Sequence, residues 1–511
     1  MNRPQLYRSH SRLFKTAAVA LISLCSPMLA MATPASGATA APSQAADHNS
    51  VHLLTLPHTP YTLNVLVRSG SFTAITAKTA HQGSLVSEWY PYYHPIWEKV
   101  FPHMTINEID VPNDDEVASK TILAVEGGNP ADLISVSYTL PELVSKGALM
   151  NLTPFFQAAG LTAKDFVPAM VRVSQINGQW YGLPAASSPT EGDILYVPKY
   201  EAAAGINPNA MPKTWAALLK ESEKVTTFGP GHILERIGEP IVVPSGLSFG
   251  TLPDTGFDTF ATSYCGYDAF YNQRTGFHLN APCILNFVRY ELKLVNLYGG
   301  WTSYSKFIAG DPGPWSCSKS DYVATGKVLF DILDAYWTGL QFSNCYNLQW
   351  SLSQYPTQNG KLSAVSAMNM TQWDLAIPKG VPTTLARAAF DLWLETFYVH
   401  GALSGPTTNG YVAYSQAPAW WGNLVKEQAT IRKKNGFAGN PIAKLVPLEE
   451  KEAAVANYSY PDSTVLPAVY TSVTNAWSAI VYKGESVQRA FDAAQAQVSH
   501  MEHTTPGGIY G

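Results

Sequence analysis

GGNPADLISV, residues 127–136, decides how the first third of the chain is read. The glycine pair ends a helix, because glycine takes a left-handed backbone without strain. After the turn at Asn129 and Pro130, Leu133-Ile134-Ser135-Val136 is a short apolar run of the kind buried in a parallel sheet. Upstream, Asp114 and Asp115 stand where a helix start accepts acidic caps, and Val117, Ile122 and Val125 carry its apolar face to the glycines. Met104–Val111 is strand-like behind Pro102, and Leu63, Val65 and Val67 mark a first buried strand, with order beginning near Tyr61. Between these strands, Trp89, Tyr92, Tyr93, Ile96, Trp97 and Val100 recur at helical spacing, with Pro91 and Pro95 limiting where that helix starts. Downstream, Pro141 fits the first turn of a short helix that Gly147 ends. Strand, helix, strand, helix, strand predicts an α/β lobe.

The pattern then changes. Asn177-Gly178 between apolar runs is a hairpin turn. After Pro198 the chain turns helical, over Glu201–Ala204 to Gly205 and again over Trp215–Val225. Residues 226–320, dense in Gly, Pro, Ser and aromatic residues, read as irregular loops on a second lobe. Residues 385–400 are helical in pattern, and Val487–Val498 form a final amphipathic helix. No repeat of roughly 20–50 residues is visible.

Composition agrees with two lobes, since 511 residues exceed what one core usually serves. Apolar residues make up 46%, which excludes a largely disordered chain, while charged residues are only 14% against roughly 25% in an average domain. With 13 Trp, 27 Tyr and 20 Phe, such a surface suits neutral, ring-shaped ligands and is compatible with acidic surroundings. Arg3, Arg8, Arg12 and Lys15 precede an apolar stretch from Thr16 to Met31 and the small-x-small site Ala30-Met31-Ala32, so residues 1–32 read as a secretory signal. A lipid anchor at Cys25 is the rival, opposed by the bulky Leu24. Loss of that segment takes the net charge from −5 to about −9. No basic run points to nucleic acid. Residues 33–60 read as a flexible leader.

Four cysteines remain: Cys265, Cys283, Cys317 and Cys345. Export favours disulfides over zinc, no Cys-x-x-Cys being present. Three pairings are possible, and short loops favour Cys265 with Cys283 and Cys317 with Cys345. There is no serine nucleophile elbow, His-Glu-x-x-His or phosphate loop. His52, His58, His81, His94 and His103 fit no metal spacing, so neither metal nor cofactor is expected. The carboxylate pairs Asp331/Asp334 and Glu191/Asp193 are the candidates for a glycosidase reading. No catalytic residue is assigned.

Five phrases, in order, resemble the family-one extracellular solute-binding proteins, the maltose-binding-like group. They are GGNPADLISV (127–136), LPELVSKGALMNLTPF (140–155), INGQWYGLP (176–184), LYVPKYEAAAGI (195–206) and PKTWAALL (212–219), spread over about ninety residues. Phe307–Trp337 and Leu466–Val498, closing on KGESVQRAFDAA (483–494), are similar to later parts of the same family, whereas 226–300 departs from it.

The resemblance implies an α/β, two-lobed periplasmic-binding-protein type II fold with a hinge and an interlobe cleft. Lobe one would take residues 61–193 and about 375–455, and lobe two 194–374 and about 456–511. It implies a periplasmic monomer that captures a small molecule, expected to be a mono- or oligosaccharide, for the membrane permease of an ABC importer. A polyamine or glycerol phosphate receptor, or a secreted polysaccharide-active enzyme, are the rival readings. Ligands bind beyond strand C-terminal ends, and sugars stack on aromatic rings. Strand ends point to Arg68, Ser137 and Tyr138, and ring chemistry to Trp315, Trp420 and Trp421, while the resemblance implies contacts at Glu191 or Asp193, before the crossing strand, and at the aromatic pair Tyr336 and Trp337.

Overall fold

The computed structural model describes residues 54, 56–68, 97–112, 114–136, 138–166, 168–188, 191–243, 257–313, 318–334, 342, 345–362 and 371–399, and, with interruptions, 426–448 and 461–505. Strands of its first half are β1 (Tyr61–Arg68), β2 (Met104–Val111), β3 (Leu133–Val136), β4 (Gln175–Ile176), β5 (Gln179–Trp180), β6 (Gly182–Ser188) and β7 (Glu191–Tyr196). The second half adds β8 (Thr227–Gly229), β9 (Ile233–Arg236), β10 (Tyr271–Asn272), β11 (Gly276–Phe277), β12 (Asp331–Asp334), β13 (Ser351–Ser353) and β14 (Thr371–Ala376).

Five of these form one sheet in the order β2-β1-β3-β14-β6. β1 lies parallel to both β2 and β3, and β14 runs antiparallel to β3 and β6. Alternation along β1 sends Leu63, Val65 and Val67 into one core and Leu66 into another, on opposite faces. The first core holds Phe156 stacked on Trp180 at 4.2 Å, with Phe166, Phe390 and Trp393 around them. The second is aliphatic, with Val117, Ile134, Val136, Leu140 and Leu143. Asp132 fastens the start of β3 to β1 by accepting from the Asn64 N–H (2.8 Å) and amide (3.1 Å).

Helix Asp114–Glu126 begins with Asp114, Asp115 and Glu116 in its first turn, where the helix dipole favours negative charge. Helix Leu140–Ser145 carries Pro141 at its start. Asn177 (φ 52°) and Gly178 (φ 71°) make the β4–β5 turn with both central residues left-handed, the backbone that a tight hairpin demands. Helix Thr383–Trp393 continues into a π-helical turn, Leu394–Val399, and Trp393 Nε1 donates to the Pro184 carbonyl at 2.7 Å, locking it onto β6.

A second sheet has the order β12-β7-β13, all antiparallel. Here the expectation of irregular loops over 226–320 is corrected. Helices Phe257–Cys265, Pro282–Leu297 and Trp301–Ile308 occupy much of it, with the β8–β9 and β10–β11 hairpins. Several of its prolines and glycines sit at helix ends. Pro282 opens the 16-residue helix, and Gly299 and Gly300 separate it from the next. The Cys265–Cys283 disulfide, with Cα atoms 5.7 Å apart, joins the first two helices. Cys345 is also disulfide-bonded, while Cys317 lies outside the described residues.

Helices Leu466–Lys483 and Val487–Thr504 pair through a turn at Gly484 and pack back on this lobe. Gln495 and Glu502 accept from the N–H groups of Leu279 and Phe277, and Trp477 meets Trp301 edge-on at 5.6 Å. No helix among the described residues is long and apolar enough to cross a membrane.

Candidate ligand cleft

The two sheets are joined in sequence from the end of β6 to the start of β7. In the first, β1 ends at Arg68, β3 at Val136 and β6 at Ser188, and β14 begins at Thr371, opposite Ser188. In the second, β7 begins at Glu191, β12 ends at Asp334 opposite it, and β13 runs toward the same edge. Ser188 and Glu191 are separated in sequence by Pro189 and Thr190 alone. Three Cα steps hold these two edges within about 11 Å of each other at that crossing. The ends of β1, β3 and β6 thus lie at one end of the first sheet, the end from which the chain crosses to β7.

Tyr138 stands two residues past the end of β3, half-buried, with its hydroxyl donating to Asp115 Oδ1 at 3.1 Å. Its ring meets Tyr470 edge-on, with centroids 6.1 Å apart. Tyr470 belongs to helix Leu466–Lys483, which packs on the second lobe through Trp477, so this aromatic pair connects the β3 end to an element of the other lobe. Glu142 lies on the helix that follows, and burial, then the nearby Asp115 charge, push its carboxyl above the usual range. The corner thus offers two rings and closely placed carboxylates, which accept hydrogen bonds from hydroxyl or ammonium donors. Tyr470 was missed in the sequence. Its apolar helical neighbours hide it among core positions, and only the fold brings it to Tyr138.

Asp193 lies in the middle of β7 and is fully buried. Its Oδ1 accepts from the Tyr355 N–H at 2.9 Å, fixing the turn that follows β13. Asp331 on β12, from the other candidate pair with Asp334, is fully buried as well. Arg68 and Glu191 fall at the strand edges described above, Arg68 ending β1 and Glu191 opening β7. Ser137, Trp315, Tyr336, Trp337, Trp420 and Trp421 lie outside the described residues.

Two cavities belong to the second lobe and contain none of the selected residues. One, of about 650 Å³, is bounded by Tyr196, Met211, Lys213, Ser353 and Gln354. The other, of about 850 Å³, lies between the β8–β9 hairpin and helix Trp301–Ile308. Among the described residues there is no cluster of metal-binding side chains.

This architecture has many relatives of known structure. CpMnBP1 with mannotriose bound superposes with a TM-score of 0.64 at 20% identity, over 85% of this chain and 99% of that one. UgpB from Mycobacterium tuberculosis, in complex with glycerophosphocholine, gives 0.63 at 15% identity, over 88% and 99%. The maltose/maltodextrin-binding domain MalE from Bdellovibrio bacteriovorus, bound to maltotriose, gives 0.59 at 16% identity, over 87% and 100%. No curated protein sequence matches the chain. The fold is thus the two-lobed periplasmic-binding-protein type II architecture. The family model for bacterial extracellular solute-binding proteins matches residues 69–295 of the chain.

Proposed function

We propose that the protein is a carbohydrate receptor that hands its ligand to the permease of an ABC importer. The observation that carries this reading is the Ser188–Glu191 crossing between the two sheets, with the Tyr138–Tyr470 ring pair at the β3 end, on the same end of the first sheet. A guest lodged between such edges makes contacts with both lobes only when they are closed, so it shifts the open–closed balance. Solved relatives with bound mannotriose and maltotriose support a sugar as that guest.

In this reading Tyr138 and Tyr470 stack on the sugar, Arg68 and Glu191 stand at the rim, and Tyr336, Trp337, Trp420 and Trp421 complete the aromatic lining. Asp193 acts through Tyr355, by holding the turn after β13. Lobe boundaries fall at 61–193 with about 375–455 and at 194–374 with about 456–511. Residues 1–32 direct export to the periplasm and are removed, and the mature chain acts as a monomer without catalysis. Glycerophosphocholine in the mycobacterial relative supports a second reading, a glycerol phosphodiester receptor.

A thermal-shift screen separates them. A ligand at one hundred times its Kd adds about 2.7 kcal/mol to the folded state. Maltotriose or mannotriose should raise Tm, with the sugar recovered intact. A shift with glycerophosphocholine alone would favour the second reading, and released shorter sugars would overturn the receptor reading.

A further inference from the structure

The second lobe buries acid where a core ordinarily holds hydrocarbon. Glu239, at 1% exposure, accepts from the Tyr290 hydroxyl at 2.7 Å and the Ser222 hydroxyl at 3.1 Å. Its carbonyl accepts from Tyr298 at 2.7 Å. Glu291, also 1% exposed, accepts from the Val242 N–H at 2.8 Å, and the Tyr304 hydroxyl accepts from the Ile241 N–H at 2.9 Å. Segment 237–243 is thereby clamped against helices Trp215–Val225, Pro282–Leu297 and Trp301–Ile308. Gly238 permits this, since a Cβ there would run into the Ser222 backbone at 2.5 Å. The opposite side of the segment is bonded to the lead-in to β12, Phe330 N–H donating to the Gly238 carbonyl at 2.8 Å.

The titratable groups facing this pair are Tyr290, Tyr298 and Tyr304, with Asp331 and Asp311 acting on Tyr304 from β12 and from the loop after Ile308. Among the described residues no basic side chain pairs with Glu239 or Glu291. The pattern extends across the molecule. Among the described residues thirteen aspartates and glutamates are buried against one buried cation, Arg432, which donates to the carbonyls of Ala438 and Gly439. At Glu239 and Glu291 an ionised carboxylate loses its hydration without a countercharge, so the neutral acid is the form that fits. Burial pushes Glu239 and Glu201 up to about 8, Asp321 and Asp391 up to about 7, and Glu291 well above the ordinary range.

We propose that the second lobe is built to fold around protonated carboxyl groups, with Glu239 and Glu291 at its centre, making the protein an acid-adapted receptor that loosens as its surroundings turn alkaline. The sign follows from proton linkage. Between the unfolded value near 4.5 and the folded value of about 8, the native state binds more protons than the unfolded one at Glu239. Stability is therefore fully present below that window and is lost as pH rises through it.

Thermal unfolding of the full chain across pH tests this. Tm should fall by several degrees between about pH 5 and about pH 8, and Glu239→Gln, which keeps the shape without the charge, should flatten that slope. A merely structural effect of the substitution would lower Tm equally at every pH. A wild-type Tm that stays level or rises over this range overturns the proposal, as does a Glu239→Gln protein with an unaltered slope. Should that variant not fold, infrared spectra of the wild type decide: a protonated-carboxyl band persisting at neutral pH supports the proposal, and its absence refutes it.

Discussion

The first sheet and the interior of the second lobe solve the same packing problem with different materials. Around β1 and β3 the buried side chains are mainly Leu63, Val65, Val67, Leu133, Ile134 and Val136, with Asp132, Ser135 and, on β14, Asp374 as polar exceptions. Around β7 and β12 the core includes Asp193, Asp331, Glu239 and Glu291 among Trp and Tyr rings. Hydrocarbon burial is tolerant, because any residue of suitable size contributes in proportion to area. A buried carboxyl requires a partner at one position, and here the partners come from far along the chain: Glu239 and Tyr290 are 51 residues apart, Asp193 and Tyr355 162 apart. The second lobe should consequently be the more specific and the more fragile half.

The strongest way to break that contrast is to remove one of its largest buried rings. Trp215 touches Phe260, Tyr264, Phe287 and Tyr290, so Trp215→Ala opens a cavity and frees the ring that holds Glu239. A loss of about 3–5 kcal/mol in denaturant unfolding is expected, against about 2–5 kcal/mol for Leu133→Ala in the first sheet. If the first-sheet variant proves the more damaging, the second lobe is not the fragile half. Next comes the covalent tie. Replacing both Cys265 and Cys283 with serine releases a closure of 18 residues and should cost about 3 kcal/mol, read from the urea midpoint. A negligible change would mean that the helices it joins need no staple.

The same contrast explains what the sequence made legible. The strands Tyr61–Arg68, Met104–Val111 and Leu133–Val136, the helix Asp114–Glu126 and the Asn177-Gly178 turn follow from local periodicity and turn chemistry and stand where the pattern put them, whereas Trp89, Tyr92, Tyr93 and Ile96 of the first expected helix lie outside the described residues. Helix Pro282–Leu297 was not recognised, although Ile284, Leu285, Val288, Leu294 and Val295 are buried along its length. The proline, glycines and cysteines that bound such helices look in sequence like loop markers. At the candidate site, Tyr138 was reached because it follows a strand end. Tyr470 and Tyr355 were not, since nothing local in their own helix or turn distinguishes them, and their roles arise from contacts hundreds of residues away. Asp193 was selected for its charge, and its burial against the Tyr355 N–H gives that charge a positioning duty.

Binding sharpens the comparison at the junction of the halves. β12 ends at Asp334, on the edge that faces the first sheet, and Trp337 follows three residues later. Trp337→Ala should raise Kd for the ligand found by the thermal screen at least tenfold, about 1.4 kcal/mol, in calorimetric titration. Unaltered affinity would remove this ring from the site.

The smallest effect, and the most discriminating, is expected at Tyr138. Its hydroxyl is bonded to the exposed Asp115, so Tyr138→Phe should cost stability only about 0.5–1.5 kcal/mol. The phenyl ring still reaches Tyr470, and a ligand stacked on it keeps most of its affinity. Tyr138→Ala removes the ring and with it the aromatic contact between the β3 end and helix Leu466–Lys483. If that contact serves the guest, affinity should drop sharply from Phe to Ala while Tm differs little between the two. If it serves only to hold the lobes, Tm should drop and affinity should follow it in proportion. A Phe variant as defective in binding as the Ala variant would shift the role from the ring to the hydroxyl, and the corner formed with Asp115 and Glu142 would then act through hydrogen bonds and charge.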